Sequence, residues 1–119
     1  MSPQPLVDAQ TITDVVATIV EAAHPERIVL FGSHADGSNE WDSDLDLLIV
    51  TETELAPVDR VLEIRRLFGQ APCPLDVIVY TPAEVEQWGG VPSSFLHQIL
   101  AQGKTLYGRS TPEAGTTVD

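Results

Sequence analysis

Residues 27–51 read RIVLFGSHADGSNEWDSDLDLLIVT, and this stretch decides the fold. Two apolar runs of strand length, rich in branched residues, occupy residues 27–31 and 43–51. The chain between them is small and polar, and it begins with the pair Gly32-Ser33. The pattern predicts a strand, a glycine turn with a polar loop, and a second strand that starts with acidic residues.

Two aspartates, Asp44 and Asp46, stand at the start of the second predicted strand. Because side chains alternate between the two faces of a strand, we expect both carboxylates to project from the same face. Neighbouring carboxylates repel each other unless a cation lies between them, and hard oxygen ligands suit Mg²⁺ or Mn²⁺. The spacing therefore predicts a metal site at this pair.

The turn at Gly32-Ser33 is a candidate phosphate site. A glycine at the end of a strand lets the backbone approach a phosphate, and amide groups there or at a following helix start can donate to phosphate oxygens. Glycine-serine turns and acidic strand starts are each common, so neither motif alone is specific. Their combination at a fixed distance predicts nucleotide chemistry.

A third carboxylate has a suitable setting. Residues 75–80 read LDVIVY, another strand-like run in which Asp76 is the single charge. A charge in a sheet interior is costly unless it faces a metal or water. We therefore expect Asp76 to join the same cluster, where it could act as the base for an attacking hydroxyl.

A calcium loop is the competing interpretation of the aspartates. Asp42, Asp44 and Asp46 follow the D-x-D-x-D spacing of an EF-hand. The next position of such a loop requires glycine, whereas this chain has Leu47 inside a predicted strand. The EF-hand interpretation fails at that residue.

Two segments together resemble a family signature. Residues 31–37, FGSHADG, followed by residues 43–50, SDLDLLIV, resemble the minimal nucleotidyltransferases, a branch of the DNA polymerase beta superfamily. The similarity extends from about Thr11 to Tyr107. It implies an α/β nucleotidyltransferase fold, with a small mixed sheet flanked by helices.

The resemblance also implies a set of roles. Gly32 and Ser33 would hold the triphosphate of ATP, Asp44 and Asp46 would bind Mg²⁺ or Mn²⁺, and Asp76 would complete the metal and catalytic site. Many members are antitoxins encoded beside a HEPN-domain ribonuclease toxin, and some transfer AMP from ATP to a tyrosine of that toxin. The implied activity is thus Mg²⁺-dependent adenylylation of a HEPN toxin.

Two other functions stay open at this point. The chain could be a catalytically inactive module of the same fold that neutralises its partner by binding alone, or it could transfer a nucleotide to a small molecule or RNA. One departure bears on the first alternative: many members carry arginine where this chain has Asp36, so one cation is missing near the expected phosphates.

Composition and charge favour a small acidic domain. The chain has 119 residues, with 6 basic and 18 acidic side chains and a formal net charge of −12 at pH 7. Such a charge leaves no basic stripe for a nucleic-acid backbone, so we expect no direct DNA or RNA binding. An acidic surface suits a basic protein partner, although it also serves solubility alone.

The length predicts one domain, which we place at residues 1–109, followed by a flexible tail at 110–119. A domain of this size gains stability from a partner, so we expect a homo- or hetero-oligomer. No signal peptide or apolar run of about 18 residues is present, which predicts a cytoplasmic protein without a membrane span. The single cysteine, Cys73, excludes an internal disulfide and is expected to be buried.

The remaining periodicity predicts helices over 11–23, 57–68 and 92–102, a short helix capped by Thr81 with Glu84 in a capping box, and a last strand near Leu106. Several side chains outside the motif receive expectations as well. Three arginines of the second helix, Arg60, Arg65 and Arg66, are expected on a solvated face. His34 is expected to lie in solvent or to contact a nucleotide. Trp41 is expected to stack on a base or to pack over the loop, and Trp88 to cover the core.

Overall fold

The computed structural model describes residues 7–40 and 43–109. Helices and strands alternate along most of these residues. In chain order they are α1 (Ala9–Ala23), β1 (Arg27–Phe31), α2 (Ser33–Asp36), β2 (Leu45–Val50), α3 (Pro57–Arg66), β3 (Leu75–Tyr80), α4 (Pro82–Trp88), α5 (Phe95–Gln102) and β4 (Lys104–Gly108).

The strands form one four-stranded mixed sheet in the order β3-β2-β1-β4. β1 pairs antiparallel with β2 and with β4, whereas β2 and β3 run parallel. A parallel pair needs a crossover connection, which α3 supplies. The α/β class and the mixed sheet predicted from the sequence are confirmed.

Helices cover both faces of the sheet. On one face, the alternate residues Leu45, Leu47 and Ile49 of β2 pack with buried side chains of α1 and α3. On the other face, Leu48 and Val50 pack with buried side chains of α5 and a partly buried one of α4. Strand periodicity places Asp46 on this second face, at the end of the sheet where β1 stops and β2 and β3 begin.

The predicted elements are found with small shifts at their ends. β1 and β3 have the predicted bounds, the capping box of Thr81 and Glu84 is present, and the last strand forms as β4. α5 begins at Phe95 rather than at residue 92, because the Ser94 side chain accepts a hydrogen bond from the His97 N–H and caps the helix there. The one-turn helix α2 was not predicted.

The expectation of a solvated arginine face is wrong for Arg60. Its side chain is only 10% exposed, and Nη1 lies 2.8 Å from Oε1 of Glu84. Its neighbour Arg65 is exposed but donates from Nη1 to the Leu75 carbonyl at 2.8 Å, on the outer strand β3. Arg60 Nη1 also lies 3.4 Å from the Val79 carbonyl, so both arginines link α3 to the outer strand β3. Fewer backbone carbonyls of this edge strand are then free to pair with another chain.

The expectations for the cysteine and the two tryptophans have different outcomes. Cys73 is buried, as predicted, whereas Trp88 is 46% exposed and does not cover the core. Trp41, Asp42 and the tail at 110–119 lie outside the described residues. Within the described ranges, no helix has the length and apolar character needed to cross a bilayer.

Candidate functional site

Asp46 and Asp76 lie opposite each other in the sheet. They are direct partners in the parallel register of β2 and β3, so adjacent strands hold them about 4.8 Å apart at the backbone. Both belong to the face that α4 and α5 cover, but Asp46 is partly buried and Asp76 is exposed. Asp44 lies just before β2 and is exposed. The structure thus brings the three predicted carboxylates to one end of one face.

Gly32 lies directly against Asp46. Phe31, the last residue of β1, is the register partner of Asp46, and Gly32 follows it with φ +75°. A β-carbon added to Gly32 would lie 2.2 Å from Oδ2 of Asp46. Both the backbone conformation and the close approach require glycine here. The predicted phosphate turn and the predicted metal ligand therefore form one contiguous site.

The turn opens directly into α2. Gly32 is the N-cap of this helix and provides no side-chain hydrogen bond. The first amide groups of a helix have no partner within the helix, so those at Ser33 and His34 are suited to an anion. The helix ends after one turn at Gly37, whose N–H donates to the Ser33 carbonyl at 3.0 Å.

His34 connects the two halves of the site. Its Nε2 lies 3.0 Å from the carbonyl oxygen of Ser43, and because that oxygen only accepts, Nε2 carries the proton. Ser43 immediately precedes Asp44, so the contact fixes α2 against the start of the aspartate strand. The sequence placed His34 in solvent or on a nucleotide, and the structure gives it this partly buried contact instead. No local pattern in the sequence signals it.

The carboxylates interact electrostatically. The pKa of Asp46 is raised above its ordinary value, first by burial and then by the negative charges of Asp76 and Asp44, while His34 acts in the opposite direction. Nearby like charges disfavour the ionised form of a carboxyl group. A cation placed among these groups would relieve the repulsion.

Comparison with known proteins identifies the family. The family model described as polymerase beta, nucleotidyltransferase matches residues 13–112, which run from within α1 to beyond the end of β4 and include all the predicted site residues. The chain belongs to this family of nucleotidyltransferases. Members generally use a nucleoside triphosphate and a divalent metal. A comparison with curated proteins gives no match.

Several solved structures share the fold. A Sulfolobus solfataricus protein assigned to the nucleotidyltransferases has a TM-score of 0.61 and 20% identity, with 84% of this chain and 79% of that chain covered. A toxin–antitoxin complex with AMP-PNP gives a TM-score of 0.53 at 20% identity, covering 87% and 76%. A mutant toxin–antitoxin MntA–HpeT gives 0.52 at 19% identity, covering 87% and 75%.

The carboxylates of this nucleotidyltransferase domain have the chemistry that a divalent metal requires. Mg²⁺ commonly takes one or two carboxylates and completes its shell with water and phosphate oxygens. Asp46 with Asp76 or Asp44 supplies such a set, and the pKa of Asp46 is raised first by burial and then by these neighbouring charges. Within residues 7–40 and 43–109, no group of three or more histidine, cysteine, aspartate or glutamate side chains is gathered closely enough to hold a metal by itself. The site therefore fits a metal that arrives with substrate phosphates.

Asp36 lies at the end of α2 with its carboxylate turned toward its own loop. Oδ1 accepts from the Ser38 N–H at 2.9 Å and from the Ser38 hydroxyl at 2.6 Å. These two hydrogen bonds lower the pKa of Asp36. The residue thus stabilises the turn that closes the phosphate loop, and it brings a negative charge where many members of the family have a positive one.

Proposed function

We propose that the chain is an antitoxin that transfers AMP from ATP to a tyrosine hydroxyl of a HEPN-type ribonuclease toxin. One observation carries the proposal: Gly32 and Asp76 lie on opposite sides of Asp46, one in contact with its carboxylate and one paired with it across the ladder. A phosphate turn on one side and a third carboxylate on the other are what adenylyl transfer to a hydroxyl requires.

Each residue has a defined task in this reaction. The turn at Gly32 and Ser33 binds phosphate oxygens of ATP through the backbone amides that begin α2, those of Ser33 and His34. Asp44 and Asp46 would hold the metal, and Asp76 would hold it from the neighbouring strand and accept a hydrogen bond from the attacking hydroxyl. Bound Mg²⁺ supplies charge neutralisation of the triphosphate and polarisation of the α-phosphate.

The transfer needs no reactant other than ATP and the tyrosine hydroxyl. A bond forms between the tyrosine oxygen and the α-phosphorus, the bond from that phosphorus to the bridging oxygen breaks, and pyrophosphate leaves. The hydroxyl proton passes toward Asp76 and then to water. Asp76 is exposed, so it is accessible to a hydroxyl carried by another protein.

Charge and the structural relatives support a protein acceptor. Two of the solved relatives are toxin–antitoxin complexes, and one of them contains AMP-PNP, an ATP analogue. The formal net charge of −12 favours association with a basic partner, and a protein that binds and cuts RNA presents a basic face. Both features are compatible with a toxin as the substrate.

Neutralisation by contact alone is the second candidate, and Asp36 is the observation that favours it. Its carboxylate stands at the end of the phosphate loop, where it repels a triphosphate. An inactive domain would keep the fold and the acidic surface but would have no need of the metal ligands.

Cell survival and calorimetry together test the proposal. The chain is expressed with the toxin encoded beside it, either as wild type or with Asp44→Asn and Asp46→Asn; a control carries Glu21→Gln and Glu63→Gln, which remove two exposed charges far from the site. We expect the wild type and the control to protect cells and to bind ATP in a Mg²⁺-dependent manner, and the aspartate variant to do neither. Full protection by the aspartate variant would favour the contact-only mechanism.

A further inference from the structure

A cleft adjoins the phosphate turn on the side away from Asp76. It lies between α2 and α5, has a volume of about 190 Å³, and has Gly32 and Ala35 on one wall and Phe95 and Gln98 on the other. Sites for drug-sized ligands have volumes of roughly 300–1,000 Å³, so this cleft suits one part of a nucleotide rather than the whole molecule.

The wall formed by α5 combines an aromatic ring with amides. Phe95, Gln98 and Gln102 follow the i, i+3, i+7 spacing of one helix face, and all three line the cleft. Leu96 and Ile99 of the same helix are buried in the core. The helix therefore presents a polar and aromatic face to the cleft while its apolar face fixes it to the sheet.

Phe95 is more exposed than phenylalanines usually are. The residue is 58% exposed, although its ring packs against Phe31 in a T-shaped arrangement with ring centroids 6.2 Å apart and planes at 88°. Such packing covers at most one face of a ring, so the Phe95 ring keeps a free face. A flat ligand in the cleft can cover that surface.

The C-terminal end of α5 is fixed against β1. A β-carbon at Gly103 would lie 2.5 Å from Cγ1 of Val29 and 2.8 Å from the Leu30 carbonyl oxygen, so glycine allows the helix end and the strand to come this close. Because β1 leads directly into Gly32, the cleft wall and the phosphate turn are built on the same strand. A ligand that spans both would meet a preorganised surface.

We propose that this cleft binds the nucleobase of the nucleotide, with Phe95 as its stacking surface and Gln98 and Gln102 as the groups that read its polar edge. The inference rests on the proposed function, which places the triphosphate at Gly32. None of the described residues that line the cleft is basic, and Asp36 is one of them, so the part of the cleft beyond the turn at Gly32 disfavours phosphate. A glutamine amide both donates and accepts, as the edge of a base does.

The acceptor hydroxyl belongs on the opposite side. Asp76 pairs with Asp46 from β3, whereas the cleft lies at the end of β1, two strands away in the sheet. With the α-phosphate at Asp46, the β- and γ-phosphates at the amides that begin α2 and the base in the cleft, the Asp76 side stays open for the hydroxyl that attacks the α-phosphorus. The base and the acceptor therefore do not compete for the same surface.

Calorimetric titration of the full chain with Mg²⁺ present tests the cleft, with ATP, CTP and inorganic tripolyphosphate as probes. Loss of base stacking on an aromatic ring weakens binding by about tenfold. We expect Phe95→Ala to weaken ATP binding by about that factor without changing tripolyphosphate binding, and Phe95→Tyr to restore it. Trp88→Ala, which removes an exposed aromatic side chain on α4, should leave the affinities for ATP and for tripolyphosphate unchanged. Gln98→Glu should change the ratio of ATP to CTP affinity.

Three results would overturn the nucleobase assignment. Equal losses of ATP and tripolyphosphate binding in Phe95→Ala, in a variant whose thermal melt is unchanged, would show that the ring supports the phosphate site and not the base. Unchanged ATP binding in both Phe95→Ala and Gln98→Glu would place the base elsewhere while leaving the proposed function intact. Failure of the wild-type chain to bind ATP with either Mg²⁺ or Mn²⁺ would refute the proposed function and this inference together.

Discussion

Gly32 touches the carboxylate of Asp46, since a β-carbon at residue 32 would lie 2.2 Å from Oδ2. We predict that Gly32→Ala displaces this carboxylate and weakens Mg²⁺-dependent ATP binding by at least tenfold. The matched control is Gly37→Ala, because Gly37 also has positive φ but no heavy atom within 4 Å of an added β-carbon. Gly37→Ala should destabilise the chain by about 1 kcal/mol through its left-handed backbone. Gly32→Ala should cost more, because φ +75° with ψ −156° is a conformation that essentially only glycine adopts, and it alone should impair ATP binding in calorimetry. Equal ATP affinities in the two variants would show that this contact does not shape the site.

Asp46 should make the stability of the metal-free protein depend on pH. Its pKa in the folded chain is raised above the ordinary 3.8, so its ionised form disfavours folding. This cost is absent below pH 3.8, where the group is protonated in both states, and it grows as the pH rises through the folded pKa. We therefore expect Asp46→Asn to raise the free energy of unfolding in EDTA at pH 7, and the gain to disappear toward pH 3.8. Urea titrations across this range measure it, with Glu21→Gln as the control; a gain that persists at the acidic end would contradict the electrostatic cause.

The ion pair of Arg60 and Glu84 should stabilise the junction of α3 and α4. The 2.8 Å contact is largely shielded, with the side chains 10% and 32% exposed. A double-mutant cycle with Arg60→Met and Glu84→Gln should give a coupling energy of about 1 kcal/mol at pH 7. The pKa of Glu84 is lowered from its ordinary 4.5, chiefly by its hydrogen bond from Arg60, so the coupling should be full above pH 4.5 and fall as the pH drops through the folded pKa. A coupling energy of zero at pH 7 would mean that this ion pair does not stabilise the fold.

Substitution of Asp36 tests whether the aspartate at this position weakens nucleotide binding. Asp36→Arg replaces a carboxylate with a group that can donate forked hydrogen bonds to phosphate, and we expect ATP binding to tighten by about 1 kcal/mol at low salt. The gain should shrink as salt rises. Because Asp36 also accepts two hydrogen bonds from Ser38, Asp36→Asn is the control that removes the charge and keeps an acceptor. Unchanged affinity in Asp36→Arg at low salt would show that this side chain points away from the nucleotide.

The sequence predicted the fold and the central residues because their signals are local. Apolar runs of strand length, rich in branched residues, identify strands, and the glycine turn and the aspartate pair lie within fifteen residues of each other on the chain, at 32–46. The pairing of Asp46 with Asp76 depends on which strands are neighbours, which the family resemblance suggested and no local pattern does. The roles of the metal ligands themselves stay a prediction.

The contacts that sequence reasoning missed are all non-local. His34 reaches Ser43 across the loop, and Arg60 reaches Glu84 from another helix, 24 residues away. The position of α5 beside the phosphate turn follows from the close packing of Gly103 on Val29. Such partners are decided by packing of the whole domain, and a glycine or an arginine looks the same in the sequence whichever neighbour it has.

The intact mass of the partner protein tests the central claim most directly. The proposed toxin partner is purified after co-expression with the wild type or with Asp44→Asn and Asp46→Asn, and its mass is measured. We predict that the wild type adds the mass of one AMP or a multiple of it, located on tyrosine by fragmentation. Loss of the metal ligands should reduce the modified fraction by about 10²-fold or more under initial-rate conditions. An unmodified toxin that is nevertheless neutralised equally by both forms would contradict the enzymatic account and establish neutralisation by binding.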